Sequence, residues 1–379
     1  MTYAPTNPID VPPYQLQPLI SSVLESLPRT GGTSAQVTSA QALGSEIYVG
    51  CSNGELLRFA LESNGPEMPE SYTLLSRQAL INDKPIDEIV LAPSISRALI
   101  LSNRQVHFFT LPALDVVPAN VIRPIRNVVT FAVDERHARR PPTSGSDLPR
   151  AMEPVEFCVI KQTSIALYSL QERLFLQKEI PLPSGGILAR RTGRHLCIAD
   201  RENYNVIDLE AASFFPILPV SQAGDGILVK PSITVVSDNE FLILSWNGAS
   251  TLGVFITGDG DPVRGTLEWP SHPVAVCLDY PYITTLLPND TIEIHSVETQ
   301  SIMQVIPAPA DSPGPGGTPT ALRRMLLASA SGFFVPSTQR SDKLRRTPFK
   351  LRRGGSAGTG ASPEKGRERY PAVAEGPVI

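Results

Sequence analysis

Few residues of this chain have the type and spacing that metal-ion or nucleophilic chemistry requires. The histidines stand far apart in the sequence, at His107, His137, His195, His272 and His295. A metal site or a catalytic triad would need several of them to converge from separate elements, and no spacing supports this, so structural histidines are favoured. No Asp/Glu pair can be assigned as general acid and base before a pocket is known.

Glycine-rich and nucleophile motifs are equally scarce. Gly258, Gly260 and Gly265 lie in the stretch GDGDPVRG, which only loosely resembles a phosphate or calcium loop. No helix pattern follows this stretch and its acidic spacing is wrong, so a turn between strands is favoured. No P-loop, GxSxG elbow, HExxH or strand-GxGxxG-helix unit occurs. The sequence therefore predicts no enzyme, no catalytic residue, no cofactor, no metal site and no small-molecule substrate.

The cysteines point to packing rather than to redox or zinc chemistry. They are scattered without CxxC spacing, and several lie inside apolar runs: Cys51, Cys158, Cys197 and Cys277. This pattern predicts buried, reduced thiols in a cytosolic protein.

Composition and charge exclude further classes. Of 379 residues, 41% are hydrophobic and 18% are charged, which is enough apolar material for a core. No apolar run approaches the roughly 18 residues of a membrane-spanning helix, and no signal peptide is visible. The segment 323–379 holds 12 Lys/Arg against 4 Asp/Glu, which leaves 21 against 33 in the segment 1–322, a net charge of −12. Such an acidic body is a poor binder of polyanions, so no nucleic-acid partner is predicted.

The elements that would carry any site are short strands. Runs rich in Val, Ile, Leu, Tyr, Phe and Thr end at Gly, Pro, Asn or Asp, which is typical of strands and hairpins. Six hairpins are predicted: Glu46–Gly50 with Glu55–Leu61, Arg97–Leu101 with Gln105–Leu111, Glu156–Lys161 with Ser164–Leu170, His195–Ala199 with Tyr204–Leu209, Glu240–Ser245 with Thr251–Thr257, and Tyr282–Leu287 with Thr291–Val297.

The hairpins recur about every 40 to 55 residues, the period of a four-stranded propeller blade. The predicted fold is all-β, a seven-bladed β-propeller closed by an N-terminal strand, Tyr14–Ile20, and followed by a disordered C-terminal tail. The predicted boundaries are a disordered N-terminus (1–13), the propeller (14–336) with a mobile loop insertion (135–154) and a Pro/Gly-rich loop (307–319), and a basic disordered tail (337–379).

Five residues are assigned structural roles within the blades. The turn glycines Gly50, Gly54 and Gly248 are expected to hold blade geometry, because glycine fits tight turns. Trp246 and Trp269 are expected to pack between blades rather than to bind a ligand.

Three blocks together resemble the citron homology (CNH) domain, in the form found at the N-terminus of vacuolar-sorting tether subunits related to the TGF-β-receptor-associated protein. The resemblance spans roughly 14–336. The blocks are Tyr14–Ile20 with Ile47–Phe59 (IYVGCSNGELLRF), Gly253–Phe255 (GVF) with Gly265–Pro270 (GTLEWP), and Pro273–Glu298, which contains Tyr280–Ile283 (YPYI) and Ile292–Ser296 (IEIHS).

The resemblance implies a non-enzymatic scaffold in vesicle-mediated transport and membrane fusion. In the CORVET and HOPS complexes such subunits place a propeller near a Rab-type small GTPase on endosomal or vacuolar membrane. The implied partners are therefore a Rab-type GTPase and tethering-complex subunits, with peripheral membrane association through them. CNH domains also occur at the C-terminus of some kinases and Rho exchange factors; the start of the module almost at Met1 favours the tether branch.

Two alternatives stay open. One is a CNH regulatory module that binds a Rho-type GTPase or a kinase in signalling. The other is a propeller enzyme whose carboxylates converge on the central channel. No partner-binding residue is carried over from the family, because no short motif fixes one.

Overall fold

Short antiparallel strands dominate the structure, as the runs of β-branched and aromatic residues predict. The computed structural model describes residues 12–20, 35–62, 71–80, 83–141, 153–224, 229–308, 327–329, 332–336 and 341–346. Its helices in these ranges are a 3₁₀ helix (Pro93–Ile95) and one α-helix, α1 (Glu135–Ala138). Within the same ranges no helix has the length and apolarity needed to cross a bilayer. The all-β prediction is confirmed.

Six sheets each contain four strands that are consecutive in the chain, and each forms one blade. Blade 1 is β2 (Val37–Leu43), β3 (Glu46–Cys51), β4 (Glu55–Glu62) and β5 (Ser71–Ala79); blade 2 is β6 (Ile86–Ala92), β7 (Arg97–Ser102), β8 (Gln105–Thr110) and β9 (Ile125–Arg126). Blade 3 is β10 (Thr130–Val133), β11 (Val155–Ile160), β12 (Ser164–Leu170) and β13 (Leu174–Pro181); blade 4 is β14 (Leu188–Thr192), β15 (His195–Ala199), β16 (Asn203–Asp208) and β17 (Ser213–Pro219). Blade 5 is β18 (Ile233–Ser237), β19 (Glu240–Trp246), β20 (Thr251–Thr257) and β21 (Leu267–Trp269); blade 6 is β22 (Ala275–Asp279), β23 (Tyr282–Leu286), β24 (Ile292–Ser296) and β25 (Ile302–Ile306).

The middle two strands of every blade are the predicted hairpins, so all six hairpin predictions are confirmed. Their side chains are buried on both faces where blades stack; every residue of β15 is buried. The first strands of neighbouring blades contact each other, for example β10 with β14 and β14 with β18. The inner strands therefore surround a central channel, and the core lies in the seams between blades.

The number of blades and the end of the fold differ from the prediction. Six blades, not seven, are built from four consecutive strands. The other four strands form a composite sheet from both ends of the chain, in the order β1 (Tyr14–Ile20), β28 (Ser341–Arg346), β27 (Gly332–Pro336) and β26 (Leu327–Ser329). β26 contacts both β2 and β22, so this sheet lies between blades 1 and 6.

The predicted disordered tail contains one of these strands. β28 pairs antiparallel with β1, from Tyr14 opposite Arg346 to Ile20 opposite Ser341. The pairing of the N-terminal strand with the last strands was predicted, but the inclusion of 341–346 was not. The backbone hydrogen bonds of β28 are satisfied by a strand from the opposite end of the chain, and local composition cannot indicate such a partner.

Several other predicted segments lie outside the described residues. These are 1–11 of the N-terminal segment, 142–152 of the loop insertion, 309–319 of the Pro/Gly-rich loop, and 337–340 and 347–379 of the tail. The first residues of the loop insertion are described, and they form α1.

Candidate functional site

A cavity of about 630 Å³ occupies one mouth of the central channel. It is lined by inner strands of blades 1, 2, 3, 4 and 6 and by α1 with the residues after it. Apolar side chains such as Val90, Leu91 and Leu278 make up part of its wall, and Arg139 and Arg140 extend from α1. The volume lies in the range of ligand pockets, about 300 to 1,000 Å³.

One ion pair crosses this cavity from blade 2 to blade 4. Arg190 Nη1 lies 3.1 Å from Glu88 Oε1, and both side chains are half-buried. Burial raises the pKa of Glu88, and the positive charge of Arg190 opposes that rise. The pair places a carboxylate and a guanidinium in contact between blades 2 and 4.

Helix α1 is fixed over the mouth by Asp134, which follows β10 and is fully buried. Its carboxylate accepts hydrogen bonds from Arg136 N at 3.1 Å and from Gly193 N of blade 4 at 3.1 Å. The first bond caps the helix N-terminus, and the second ties the helix to the neighbouring blade. Burial alone would raise the pKa of Asp134, but the hydrogen bonds from the Arg136 guanidinium and from Gly193 N bring it below its usual range.

A second buried charge completes the seam between blades 3 and 4. The Arg191 guanidinium, 5% exposed, donates from Nη2 to Glu156 Oε2 at 2.6 Å and from Nε to Gly193 O at 2.8 Å. Its backbone bridges Asp134 in parallel register. Buried charges of this kind are tolerated because each has an opposite charge and hydrogen bonds.

Blade 6 closes the other side of the mouth. Tyr14 of the N-terminal strand donates its hydroxyl to Asp279 Oδ2 at 2.7 Å. The next residue, Tyr280, is 47% exposed and donates to Glu298 Oε1 at 3.1 Å. The composite sheet therefore contacts blade 6 beside the channel mouth.

The predicted turn glycines lie at three separate places. Gly50 is on β3, where a Cβ would stand 2.5 Å from Ser39 Oγ and 2.6 Å from Ile86 Cγ2 of blade 2, so the seam between blades 1 and 2 has no room for a side chain. Gly54 is in the turn between β3 and β4 with φ +80°, a conformation that glycine adopts without strain. Gly248 lies in the turn between β19 and β20, open towards Ala223.

The two tryptophans occupy different environments. Trp269 is fully buried in the seam between blades 5 and 6, where its Nε1 donates to Thr285 Oγ1 at 3.0 Å and its ring meets His295 edge-on at 5.2 Å. Gly253 makes room for it, since a Cβ there would lie 2.7 Å from Trp269 Cζ3. Trp246 is half-buried, and its backbone pairs with the segment that joins blade 4 to blade 5.

The five histidines lie on separate elements: His107 on β8, His137 on α1, His195 on β15, His272 after β21 and His295 on β24. Among the described residues no group of three or more His, Cys, Asp or Glu could hold a metal ion. Burial lowers the pKa of His295 to about 4. The four cysteines are buried and unbridged, as predicted, and burial raises the pKa of Cys158 to about 11.

The sequence did not single out the residues that organise the channel mouth. Asp134, Glu88 and Arg190 were not singled out, because a charged residue in a strand pattern is normally solvent-facing. The only local signal was Asp134 before Glu135 and Arg136 at the end of an apolar strand, which fits a helix N-cap.

These features define a β-propeller. Paired charges line the described part of its channel, and loops and the short helix α1 surround the channel mouth. The solved CNH domain of AfRom2 has the same fold, with a TM-score of 0.50 and 18% identity over 83% of this chain and 96% of that one. Residues 33–308 match the VPS3 N-terminal domain, and the chain belongs to that family.

Two relatives support the same branch. The chain is 24% identical over 295 residues to human transforming growth factor-beta receptor-associated protein 1, covering 76% of this chain and 32% of that protein. It is 23% identical over 299 residues to vacuolar protein sorting-associated protein 3 of Saccharomyces cerevisiae, covering 76% and 27%. The chain thus spans about a third or less of the length of these relatives. The resemblance drawn from the three sequence blocks is confirmed.

Proposed function

We propose that this chain is the propeller scaffold of an endosomal or vacuolar tethering subunit and that it binds a Rab-type GTPase in its GTP form. The observation that carries the proposal is the family match over residues 33–308. The scaffold would work without catalysis, peripherally on the membrane and through its partners.

The architecture suits this role physically. Blades joined by buried seams form a rigid body, and its rim loops can present side chains to a partner at little entropic cost. At the channel mouth, Arg139 is 58% exposed on its side chain and Tyr280 is 47% exposed. Aromatic residues and arginine are enriched at protein interfaces, so this face is the one we assign to the partner.

A second candidate function is binding of a Rho-type GTPase in signalling. It is favoured by the CNH fold and by a relative named Rho1 guanine nucleotide exchange factor 2, from Schizosaccharomyces pombe, which is 26% identical over 143 residues, or 36% of this chain. The match is shorter than the match to the sorting proteins, so this candidate ranks second.

One binding experiment separates the two candidates. The purified full chain, with its fold checked by its melting curve, is tested by biolayer interferometry against immobilised Rab-type and Rho-type GTPases loaded with GTPγS or GDP. We expect binding to a Rab in its GTPγS form and weaker binding to the GDP form. Binding to Rho proteins alone would support the second candidate, and a folded chain that binds neither class would contradict both.

A matched pair of variants tests the face. Arg139→Glu reverses a charge at the channel mouth, and Arg201→Glu reverses an exposed charge in the turn before β16. We expect the first variant to weaken GTPase binding about tenfold and the second to leave it unchanged. If both variants bound the GTPase with equal affinity, the GTPase would contact a surface other than the channel mouth. The proposal that the chain binds a GTPase would still stand.

A further inference from the structure

A second concave surface lies between blades 2 and 3, away from the channel mouth. It has a volume of about 720 Å³, and its lining includes Arg123, Arg126, Lys161, Tyr168 and Leu174. We call this surface the blade 2–3 groove. Three of its lining residues are cations and none is acidic.

This charge is opposite to that of the surrounding protein. The segment 1–322 carries 21 Lys/Arg against 33 Asp/Glu, so a groove with three cations and no carboxylate is a local reversal of sign. Arg123 and Arg126 are exposed, and within the described part of the chain neither has a carboxylate within 4.0 Å. Lys161 is paired with Glu179, with its Nζ 3.5 Å from Glu179 Oε1 on an exposed edge. The positive charges of Arg123 and Arg126 are therefore available to a partner.

The groove has an apolar side next to these cations. Tyr168 is stacked on Phe157, with ring centroids 5.5 Å apart and planes at 20°, so its position is fixed by the core of blade 3. Leu174 begins β13, and the two residues after it, Phe175 and Leu176, are 57% and 58% exposed. Apolar side chains therefore continue from the groove onto the outer edge of blade 3.

The backbone explains why a groove forms here. The outer strand of blade 2, β9, has only two residues, and it pairs with β8 at Gln105 and Val106 alone. The outer strand of blade 3, β13, pairs with β12 and with no other described strand. An edge strand leaves backbone N–H and C=O groups that an extended segment can reach.

We propose that the blade 2–3 groove binds an extended acidic segment of another protein that also carries an apolar side chain. Carboxylates of the segment would be held by Arg123 and Arg126, whose guanidinium groups match a carboxylate with two parallel hydrogen bonds. The apolar side chain would contact Tyr168 and Leu174. This site is separate from the GTPase contact and does not depend on it.

Other occupants fit the charges less well. The basic segment 323–379 of the same chain has the wrong sign, with 12 Lys/Arg against 4 Asp/Glu. Anionic membranes are bound by clusters of about four to eight cations, and nucleic acids repel an acidic body. Three cations in a concave, partly apolar groove suit a short peptide instead.

The test uses the full chain and a defined probe. A fluorescein-labelled dodecapeptide of Asp and Glu with one Phe and one Leu is titrated by fluorescence anisotropy, beside a matched peptide with Asn and Gln in place of the acids. We expect the acidic peptide to bind and the neutral peptide not to bind. The double variant Arg123→Glu/Arg126→Glu should raise the dissociation constant of the acidic peptide about tenfold or more.

Two further variants separate the groove from general electrostatics. Lys84→Glu/Arg201→Glu makes the same change in net charge at exposed positions outside the groove, and it should leave the dissociation constant within about twofold. Leu174→Gln changes no charge and should weaken binding several-fold. Equal loss in both double variants, or no loss with Leu174→Gln, would overturn the groove as the binding site.

The remaining outcomes also decide the proposal. Vesicles of two parts phosphatidylcholine to one part phosphatidylserine, and a single-stranded oligonucleotide, are tested beside the peptide. Binding to either one that requires Arg123 and Arg126, while the peptide does not bind, would assign the groove to a membrane or a nucleic acid. Self-association lost in the Arg123→Glu/Arg126→Glu variant would assign it to a second copy. GTPase binding by this variant is measured in parallel, and we expect it to equal that of the wild type.

Discussion

Blades 5 and 6 are joined by apolar side chains around a buried tryptophan, whereas blades 3 and 4 combine an apolar cluster with buried charges. In the first seam Trp269 packs with apolar neighbours such as Phe255 and Leu287 and makes one hydrogen bond to Thr285. In the second seam Asp134 and Arg191 are satisfied by partners on both blades. The apolar seam stabilises the ring by burial. The directional hydrogen bonds of the charged seam fix the position of α1 over the channel mouth.

The largest expected effect is in the apolar seam. Trp269→Ala should lower the free energy of unfolding by about 3 to 5 kcal/mol, because a fully buried indole is lost and leaves a cavity. Chemical denaturation followed by circular dichroism measures this. The half-buried Trp246→Ala is the control and should lose less; equal losses would mean that burial between blades does not distinguish the two residues.

The next effect tests the charged seam. Asp134→Ala should lower the free energy of unfolding by about 2 to 3 kcal/mol, because the helix cap is lost and the half-buried Gly193 N–H loses its carboxylate partner. Glu135→Ala, at its half-buried neighbour whose carboxylate pairs only with the exposed Arg139 within the described residues, should cost less than about 0.5 kcal/mol. Amide hydrogen exchange should show faster exchange in α1 for Asp134→Ala; unchanged exchange would contradict the anchoring role.

Mild acid should affect the two seams differently. The pKa of His295 falls from its ordinary value to about 4, so the unfolded chain binds the proton more tightly than the folded chain does. Stability is then lost as the pH falls from about 6.5 towards 4, by about 2 kcal/mol between pH 7 and pH 5. The neighbouring carboxylate is Glu293, 3.9 Å from His295 Nε2, whose pKa burial raises.

Asp134 responds in a lower range. Its pKa is below the usual value when folded, so its contribution is present above the ordinary pKa of Asp and is lost only below about pH 4. Urea unfolding at pH 7, 6 and 5 should therefore show a loss that His295→Gln reduces by about 2 kcal/mol and Asp134→Ala does not reduce. If the free energy of unfolding depended on pH equally in both variants, His295 would not be a source of the loss in mild acid.

The smallest expected effect concerns one hydrogen bond. Thr285→Val keeps the side-chain shape but removes the acceptor of the buried Trp269 N–H, and should cost about 1 to 2 kcal/mol in the free energy of unfolding. Thr234→Val, at a half-buried position on β18, is the control and should be near neutral. A neutral Thr285→Val would show that burial of Trp269 alone holds the seam.

Most of the fold was predicted from local strand patterns. The errors occur where a segment is ordered by contacts with residues that are distant in the sequence. The hairpin Glu240–Ser245 with Thr251–Thr257 was predicted from its apolar run and Asn-Gly turn, and β19 and β20 match it within a residue. Ser341–Arg346 was predicted to be disordered because it is basic, yet it pairs with Tyr14–Ile20. Glu135–Ala138 was predicted to be part of a loop, and its helix depends on Asp134 and Gly193.

The sequence by itself determined the hairpins, their spacing and the family, because turn residues and alternating apolar side chains act over a few residues. Only the tertiary structure decided that six blades are built from consecutive strands, that both chain ends share one sheet, and that Glu88 meets Arg190 across the channel. It also decided that Arg123 and Arg126 share a groove with Tyr168. Contacts between residues of different blades depend on how whole blades stack around the central channel. That stacking is decided by the packing in every seam together and not by any local sequence pattern.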